Sequence, residues 1–135
     1  MNFLWQLFLV SIGGALGSGL RFGVYSAYSR WTNITQFPAG TLTVNLVGCF
    51  LITFITTIGL STNLISANTR LFLNTGIMGG LTTYSAFNND LISALDKADY
   101  RGVAWNVLAT FAGCLLAGLL GLWAGRAYVG EKIGA

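Results

Sequence analysis

Four long apolar stretches divide the chain, and short polar connections separate them. The stretches cover about residues 3–29, 39–60, 71–95 and 103–125. A helix needs roughly 20 apolar residues to cross the hydrocarbon core of a bilayer, and each stretch reaches or exceeds that length. The first stretch has no basic residues at its start and continues past the core of a signal sequence, so we interpret it as a retained span. The pattern predicts an all-α membrane protein with one four-helix domain over residues 1–135.

Composition supports a membrane protein. Hydrophobic residues make up 54% of the chain and charged residues only 8%, whereas a typical soluble domain has about 25% charged residues. So few charges could not cover the surface of a soluble domain. The chain has no histidine, and its two cysteines, Cys49 and Cys114, each lie alone inside an apolar stretch. Isolated cysteines of this kind are most often small packing residues, so we predict no transition-metal site.

Small residues recur four positions apart in two of the stretches. The first stretch contains two such glycine pairs, and the fourth contains a longer series. The positions are Gly13 and Gly17, Gly19 and Gly23, and then Gly113, Ala117, Gly121 and Gly125. In lipid, close approach of backbones through small side chains drives helix association. The spacing predicts tight helix packing but leaves open whether the partner is in the same chain. Four short helices enclose little room, so transport would require an oligomer.

Basic residues are balanced between the two predicted sides of the membrane. With a cytoplasmic N-terminus, one side holds Arg70, Arg126 and Lys132, and the other holds Arg30, Lys97 and Arg101. Orientation is normally set by an excess of Lys and Arg on the cytoplasmic side. The balance favours insertion in both orientations, which would permit an antiparallel dimer. The alternative is that a small bias fixes one orientation.

Polar residues interrupt the third stretch. Residues 79–90 read GGLTTYSAFNND, and both glycine and threonine weaken a helix. Irregular main chain in a bilayer survives only where it is buried in protein or lines a wet cavity. A break there would free carbonyl oxygens for a hard cation such as Na⁺ and amide groups for an anion. Alternatively, the hydroxyls bond back to the preceding turn and the helix merely bends. The spacing leaves both possibilities open.

Three further polar side chains lie within the predicted spans. Asn45 needs a hydrogen-bond partner there, and it either joins helices or lines a pore. Arg21 either extends to the membrane surface, which is the default, or forms a cationic vestibule. Asp90 is the only acidic residue within a span, and the sequence assigns it no role.

Two signature stretches resemble a known family. GTLTVNLVG at 40–48 and GGLTTYSAF at 79–87, with the spacing around Arg21, resemble the Fluc (CrcB) fluoride channels of bacteria over essentially the whole chain. The resemblance implies a broken third helix and an antiparallel dimer of dual-topology subunits in the bacterial inner membrane. It also implies two fluoride pathways and a structural Na⁺ at the centre that is not transported.

The resemblance also implies roles for individual residues. Carbonyl oxygens of Gly79 and Thr82 would hold Na⁺ in both subunits, and Arg21 would lie at a vestibule. The fluoride pathway would be lined by Asn45, Thr83, Tyr84, Ser85 and Phe87. The chain departs from the family pattern at Tyr84, where phenylalanine is usual, and at Ala86, where a hydroxyl residue is common. It also departs at Cys114 and Gly118, where the fourth span often carries hydroxyls.

Three classes of function compete. The first, which we favour, is a passive channel that exports fluoride as a dimer of like chains, or with a paralogous subunit as one half of a heterodimer. The second is a small dual-topology exporter of cationic compounds, which would need a buried carboxylate early in the chain, where none occurs. The third is a non-transporting packing subunit, which would need no polar break. We expect no enzyme activity and no nucleic-acid partner.

Overall fold

The computed structural model describes residues 2–31 and 37–133, apart from the side chains of Trp31, Lys132 and Ile133. These residues form helices, with no strand among them. The long helices are α1 (Phe3–Trp31), α2 (Ala39–Ser61) and α5 (Tyr100–Ile133). Within the described part, each of the three is long and apolar enough to cross a membrane. The chain is therefore a multi-pass membrane protein, and the first, second and fourth predicted helices are confirmed.

The third apolar stretch forms two shorter helices. The first, α3, consists in succession of Ala67–Arg70, Leu71–Met78 and Gly79–Leu81, and the second, α4, is Tyr84–Asp96. Thr82 and Thr83 between them have extended main-chain angles, with ψ of 155° and 119°. The predicted break is confirmed and falls just after the paired glycines, which remain helical. Neither half alone reaches the length of a span, so a fourth crossing remains a prediction.

The middle of α3 is a π-helix, which the sequence pattern did not predict. It covers Leu71–Met78, and the wider turn continues into Gly79, whose N–H donates to the Asn74 carbonyl five residues earlier. π-Helical turns are rare and are frequent at functional sites. Here the wide turns lead directly into the break.

Helices α1 and α3 pack with their main chains in contact. A side chain on Gly13 would meet the main chain of Phe72 and Gly76, and one on Gly17 would meet the main chain of Ile77. The first glycine pair therefore has its partner in the same chain. By contrast, a side chain on either glycine of the second pair, Gly19 and Gly23, would meet nothing within 4 Å among the described residues.

The small-residue series of α5 packs against α2. A side chain at Gly121 would meet the main chain of Phe50, and one at Gly125 would meet Thr57. Gly113 lies beside the Leu46 side chain in the same way. The first glycine pair of α1 and the series of α5 therefore each place one helix against another within the chain, and α2 lies between α5 and the α1–α3 pair.

The buried apolar core is small and lies where α1, α2 and α3 meet. It consists of Val44, Met78 and Leu81, with Val24 and Leu51 packed against them. Most other large apolar side chains point outward, including those on the outer faces of α1 and α5. Such faces suit hydrocarbon or another apolar protein surface, as expected for a membrane domain.

Replacing Gly17 by alanine should loosen the α1–α3 contact. The added methyl would collide with the main chain of α3, and overpacking of this kind costs roughly 1–3 kcal/mol. Gly14→Ala is the matched control, because its side chain would meet nothing within 4 Å. Thermal unfolding of the two variants in detergent micelles should show a lower Tm for Gly17→Ala only. Equal Tm values would contradict the packing assigned to this pair.

Candidate functional site

The break in the third stretch is held by Asn45, which reaches it from α2. Its Nδ2 donates to the Thr83 carbonyl over 3.1 Å, and its Oδ1 accepts from the Thr83 N–H over 2.8 Å. Asn45 is 7% exposed and Thr83 is 8% exposed. Main-chain groups that leave a helix in an apolar environment need partners. The asparagine side chain supplies both partners for Thr83.

The bond to Asn45 leaves a main-chain carbonyl near the end of α3 without its helical donor. In a continuous helix the Thr83 N–H would bind the Gly79 carbonyl, but here it donates to Asn45 instead. The Thr82 hydroxyl does bond back to the Met78 carbonyl over 2.9 Å, as does the Thr82 N–H. Both possibilities left open by the sequence therefore hold in part: a hydroxyl bonds back, and the helix also breaks.

Thr83 begins α4 as well as ending the break. Its Oγ1 accepts from the Ala86 N–H over 3.1 Å, which is a side-chain N-cap. The same hydroxyl lies 3.1 Å from the hydroxyl of Ser85. The positive end of the α4 dipole therefore points at the break, where it favours negative charge.

Arg21 also reaches the break. Its guanidinium NH1 donates to the Thr82 carbonyl over 3.4 Å, a long hydrogen bond. The side chain therefore ends on a polar partner within the protein. This contact puts a positive charge next to one of the two carbonyls for which the sequence predicts a cation.

An open groove runs along one side of the break, and we call it the aromatic groove. Its volume is about 740 Å³. It is lined by Asn45, Cys49, Thr82, Thr83, Tyr84, Phe87, Val107, Thr110, Phe111, Cys114 and Leu115. The rings of Tyr84 and Phe87 have centroids 5.8 Å apart and planes inclined by 55°. Tilted rings present an electropositive edge as well as a face, which suits an anion.

The far wall of the aromatic groove comes from α5. The Thr110 hydroxyl donates to the Oδ1 of Asn106 over 3.1 Å, and Asn106 is only 4% exposed. Neither residue was predicted from the sequence. Their signal was the four-residue spacing of Asn106, Thr110 and Cys114, which places the three side chains on one helix face.

The structure brings most of the predicted pathway residues together. Asn45, Thr83, Tyr84 and Phe87 line the aromatic groove, and Thr82 lines it as well. Ser85 differs, because it is exposed and is not part of the groove wall in this chain. Its role in a pathway therefore stays a prediction.

A second, more polar opening follows the aromatic groove along α4, and we call it the polar mouth. It has a volume of about 720 Å³. It is lined by Phe37, Pro38, Asp90, Ser93, Ala94, Lys97 and Asp99. The Asp90 carboxylate accepts from the Thr41 hydroxyl over 2.8 Å, and that hydroxyl lies 3.3 Å from the Tyr25 hydroxyl. Asp90 follows Phe87 by about one turn, so α4 contributes residues to both openings.

The donor atoms of the break fit a hard cation. In the described part of the chain, no three or more His, Cys, Asp or Glu side chains come together in a group that could hold a metal ion. The ligands that the resemblance assigns are main-chain carbonyl oxygens at the break. The Gly79 carbonyl has lost its helical partner and the Thr82 carbonyl has only the long bond to Arg21. One chain offers too few oxygens for such an ion, which requires several, so a complete site would need a second chain.

Comparison with known proteins gives consistent matches over most of the chain. Residues 8–122 match the family described as CrcB-like protein, Camphor Resistance (CrcB). The chain is 41% identical over 119 residues to the fluoride-specific ion channel FluC of Sorangium cellulosum, covering 88% of this chain and 93% of the relative. It is 43% identical over 121 residues to the protein of the same name from Parabacteroides distasonis, covering 90% and 93%. A third FluC, from an Anaeromyxobacter strain, is 43% identical over 112 residues, covering 83% and 88%.

Replacing Asn45 by alanine should loosen the break while leaving α5 intact. A buried main-chain group without a partner costs roughly 1–3 kcal/mol, so local opening should become about 5- to 150-fold more frequent. Amide hydrogen exchange, measured by mass spectrometry on peptides covering residues 79–87, should accelerate accordingly. Asn106→Ala is the matched control, because Asn106 is equally buried but bonds within α5. Unchanged exchange in Asn45→Ala would mean that the asparagine does not hold the break.

Proposed function

Because this chain belongs to the CrcB family, whose members are ion channels and not enzymes, we propose that it is a fluoride-selective channel. It lets fluoride leave the cell down its gradient and so lowers the cytoplasmic concentration of the anion. One observation carries the proposal: Asn45 holds the break in the third stretch, and the tilted rings of Tyr84 and Phe87 lie beside that break. The names of the relatives and the polar break within an apolar stretch support the same function.

The groups around the break suit a small, strongly hydrated anion. A pathway for fluoride must replace lost water with good hydrogen-bond donors, yet bind weakly enough to release the ion. Asn45 keeps one Nδ2 hydrogen beyond the one given to Thr83. The hydroxyl of Tyr84 and the amides at the start of α4 add further donors. The ring edges of Tyr84 and Phe87 complete a lining that attracts an anion without a fixed positive charge.

We call the fluoride pathway along these groups the lane. The polar mouth would give the lane access to water. Asp90 and Asp99 on the mouth oppose the approach of an anion, and Lys97 on the same mouth offsets one of these two charges. The Thr41 hydroxyl already occupies one carboxylate oxygen of Asp90. Fluoride would therefore pass from the polar mouth along α4 to the aromatic groove, past Phe87 and then Tyr84.

We propose that the working unit is an antiparallel dimer with two lanes. In one chain the aromatic groove is open, and Tyr84 is 78% exposed, so a second subunit would be needed to complete the wall. Gly19 and Gly23 leave a smooth strip of α1 without a contact among the described residues, which suits a helix of another chain. The near balance of basic residues supports insertion in both orientations, and a paralogous partner is the alternative to a second copy.

A structural sodium ion fits the centre of such a dimer. Gly79 and Thr82 of both subunits would hold it through four carbonyl oxygens. The ion would supply a fixed positive charge beside the two lanes. Arg21 donates to the Thr82 carbonyl in the single chain, and its positive charge would repel a sodium ion there, so sodium at this oxygen would have to displace that long bond. Holding this ion would give the Gly79 carbonyl a partner in place of the helical N–H that it has lost.

A proton-coupled exporter of cationic compounds is the second candidate. It would have to exchange protons at Asp90, the only acid within the predicted spans. Asp90 lies on the polar mouth, bonded to Thr41, and not on the aromatic groove. The geometry therefore favours the channel, and flux that required a proton gradient would favour the exporter.

Replacing Phe87 by isoleucine should slow fluoride efflux from liposomes that contain this chain alone. Loss of the ring edge should raise the barrier by about 1.4–2.7 kcal/mol, which corresponds to roughly 10- to 100-fold slower flux. Asn45→Asp should act in the same direction, because it replaces a donor by a negative charge. Fluoride-electrode recordings give the rate, and chloride should not pass.

The control for Phe87→Ile is Phe3→Ile, which changes an exposed ring at the start of α1. It should conduct like the unchanged chain. Wild-type flux in both Phe87→Ile and Asn45→Asp would remove the assigned lane. No flux from the unchanged chain, with flux restored by a paralogous subunit, would favour a heterodimer.

Removing sodium should reduce fluoride flux without a mutation. The protein would be purified and reconstituted throughout in N-methyl-glucamine salts, a cation too large for a cage of carbonyl oxygens. Flux should fall and return on adding Na⁺ to both sides of the membrane. Equal rates with and without Na⁺, in samples shown by elemental analysis to be free of sodium, would contradict a structural sodium ion.

A further inference from the structure

The two cysteines of the chain come together in the wall of the aromatic groove. Cys49 lies on α2, and Cys114 lies on α5 about one turn before Gly118, whose Cβ would be 3.9 Å from the Cys49 carbonyl, so the two side chains lie close enough to interact. Both line the groove, and neither forms a disulfide. The sequence had predicted two separate packing residues. Because the chain contains two cysteines in all, this pair includes every thiol that the protein has.

The two helices that carry the cysteines lie close together at this level. α2 and α5 pack closely, and a side chain on Gly118 would lie 3.9 Å from the Cys49 carbonyl and 3.6 Å from the Thr53 hydroxyl. That hydroxyl donates to the Cys49 carbonyl over 2.9 Å. Little movement would therefore be needed to bring both sulfurs onto one ion, which reduces the cost of ordering a site.

The surroundings select the kind of ion. Around the pair, the groove wall carries the apolar side chains Val107, Phe111 and Leu115, and no carboxylate or imidazole among the lining residues. Zinc needs four ligands in a structural site, which two thiols cannot provide. Soft monovalent ions such as Cu(I) and Ag(I) prefer thiolates and accept two of them in a linear arrangement.

We propose that Cys49 and Cys114 form a two-coordinate site for a soft monovalent metal ion, Cu(I) or Ag(I), and that the bound ion blocks the aromatic groove. Each S–H bond loses its proton to solvent as a metal–sulfur bond forms. One monovalent cation between two thiolates carries a net charge of −1. That charge would lie beside the proposed fluoride lane and repel the anion, so the blocking half of the proposal rests on the proposed function.

Silver binding tests the site without any measurement of flux. The purified chain would be reduced, freed of reductant under argon and titrated with silver nitrate in chloride-free buffer. One Ag⁺ per chain should remain after gel filtration, as counted by elemental mass spectrometry, with a new ultraviolet absorption from silver thiolate. Cys49→Ser and Cys114→Ser should each weaken binding by about tenfold or more, since one of two strong bonds is lost.

Alanine variants and a methionine variant decide whether the two thiols themselves bind the silver ion. Cys49→Ala and Cys114→Ala remove the thiol without adding a hydroxyl, so weakened binding in these variants, with unchanged gel-filtration profiles, supports the thiol pair. Met78→Leu removes the buried thioether of Met78 and should keep full binding. Equal silver retention in the single-cysteine variants, or none in the unchanged chain, would overturn the site.

Fluoride efflux tests the blocking half. Silver nitrate should stop flux through the unchanged chain, and each single-cysteine variant should keep the rate that it has without silver. Silver retained at one ion per chain with no loss of flux would overturn the block. If the unchanged chain passes no fluoride even without silver, the proposed function fails. The number of silver ions retained per chain then still shows whether the two cysteines form a metal site.

Discussion

The reciprocal hydrogen-bond pair between the Asn45 side chain and the Thr83 main chain is the interaction on which the candidate site depends. A main chain that leaves its helix inside a bilayer exposes an N–H and a carbonyl that water cannot satisfy. One amide side chain meets both needs at once. Each of these bonds avoids a penalty of roughly 1–3 kcal/mol. Without them both main-chain groups of Thr83 would be left without a partner, and the break, with its freed carbonyls and the capped start of α4, would open more often.

Close helix packing makes that interaction possible. Asn45 is buried on α2, and it can reach Thr83 only because α2 runs directly against the break. Gly48, about one turn further along α2, allows this approach, since a side chain there would collide with the Thr82 methyl. Gly13 and Gly17 hold α3 from the other side. The small residues therefore have a purpose beyond general helix association, because they bring a single asparagine within reach of an interrupted helix.

Much of this arrangement could be predicted from the sequence, because its strongest signals are local. Apolar length predicted α1, α2 and α5, and the run of glycine and threonine predicted the break within two or three residues. The pairing of Asn45 with Thr83 was not predictable, since the two residues lie 38 positions apart and their contact depends on how α2 packs. The π-helix before the break and the Thr110–Asn106 pair are local features, and they were missed although the second had a signal in its four-residue spacing. The contact of Arg21 with Thr82 and the meeting of Cys49 with Cys114 were missed for the same reason as the Asn45–Thr83 pairing. No local pattern encodes which helix faces cross.

The pairing with Thr83 also limits what Asn45 can do for an anion. One of its two N–H groups is already used, so the asparagine alone cannot replace the water around a fluoride ion. The Thr110 hydroxyl donates to Asn106, and Ala86, Cys114 and Gly118 lack the hydroxyls that the family resemblance leads us to expect. On the proposed function, the missing donor must then come from the Tyr84 hydroxyl or from the first amides of α4. The tyrosine that departs from the family pattern is thus the residue best placed to compensate for the other departures.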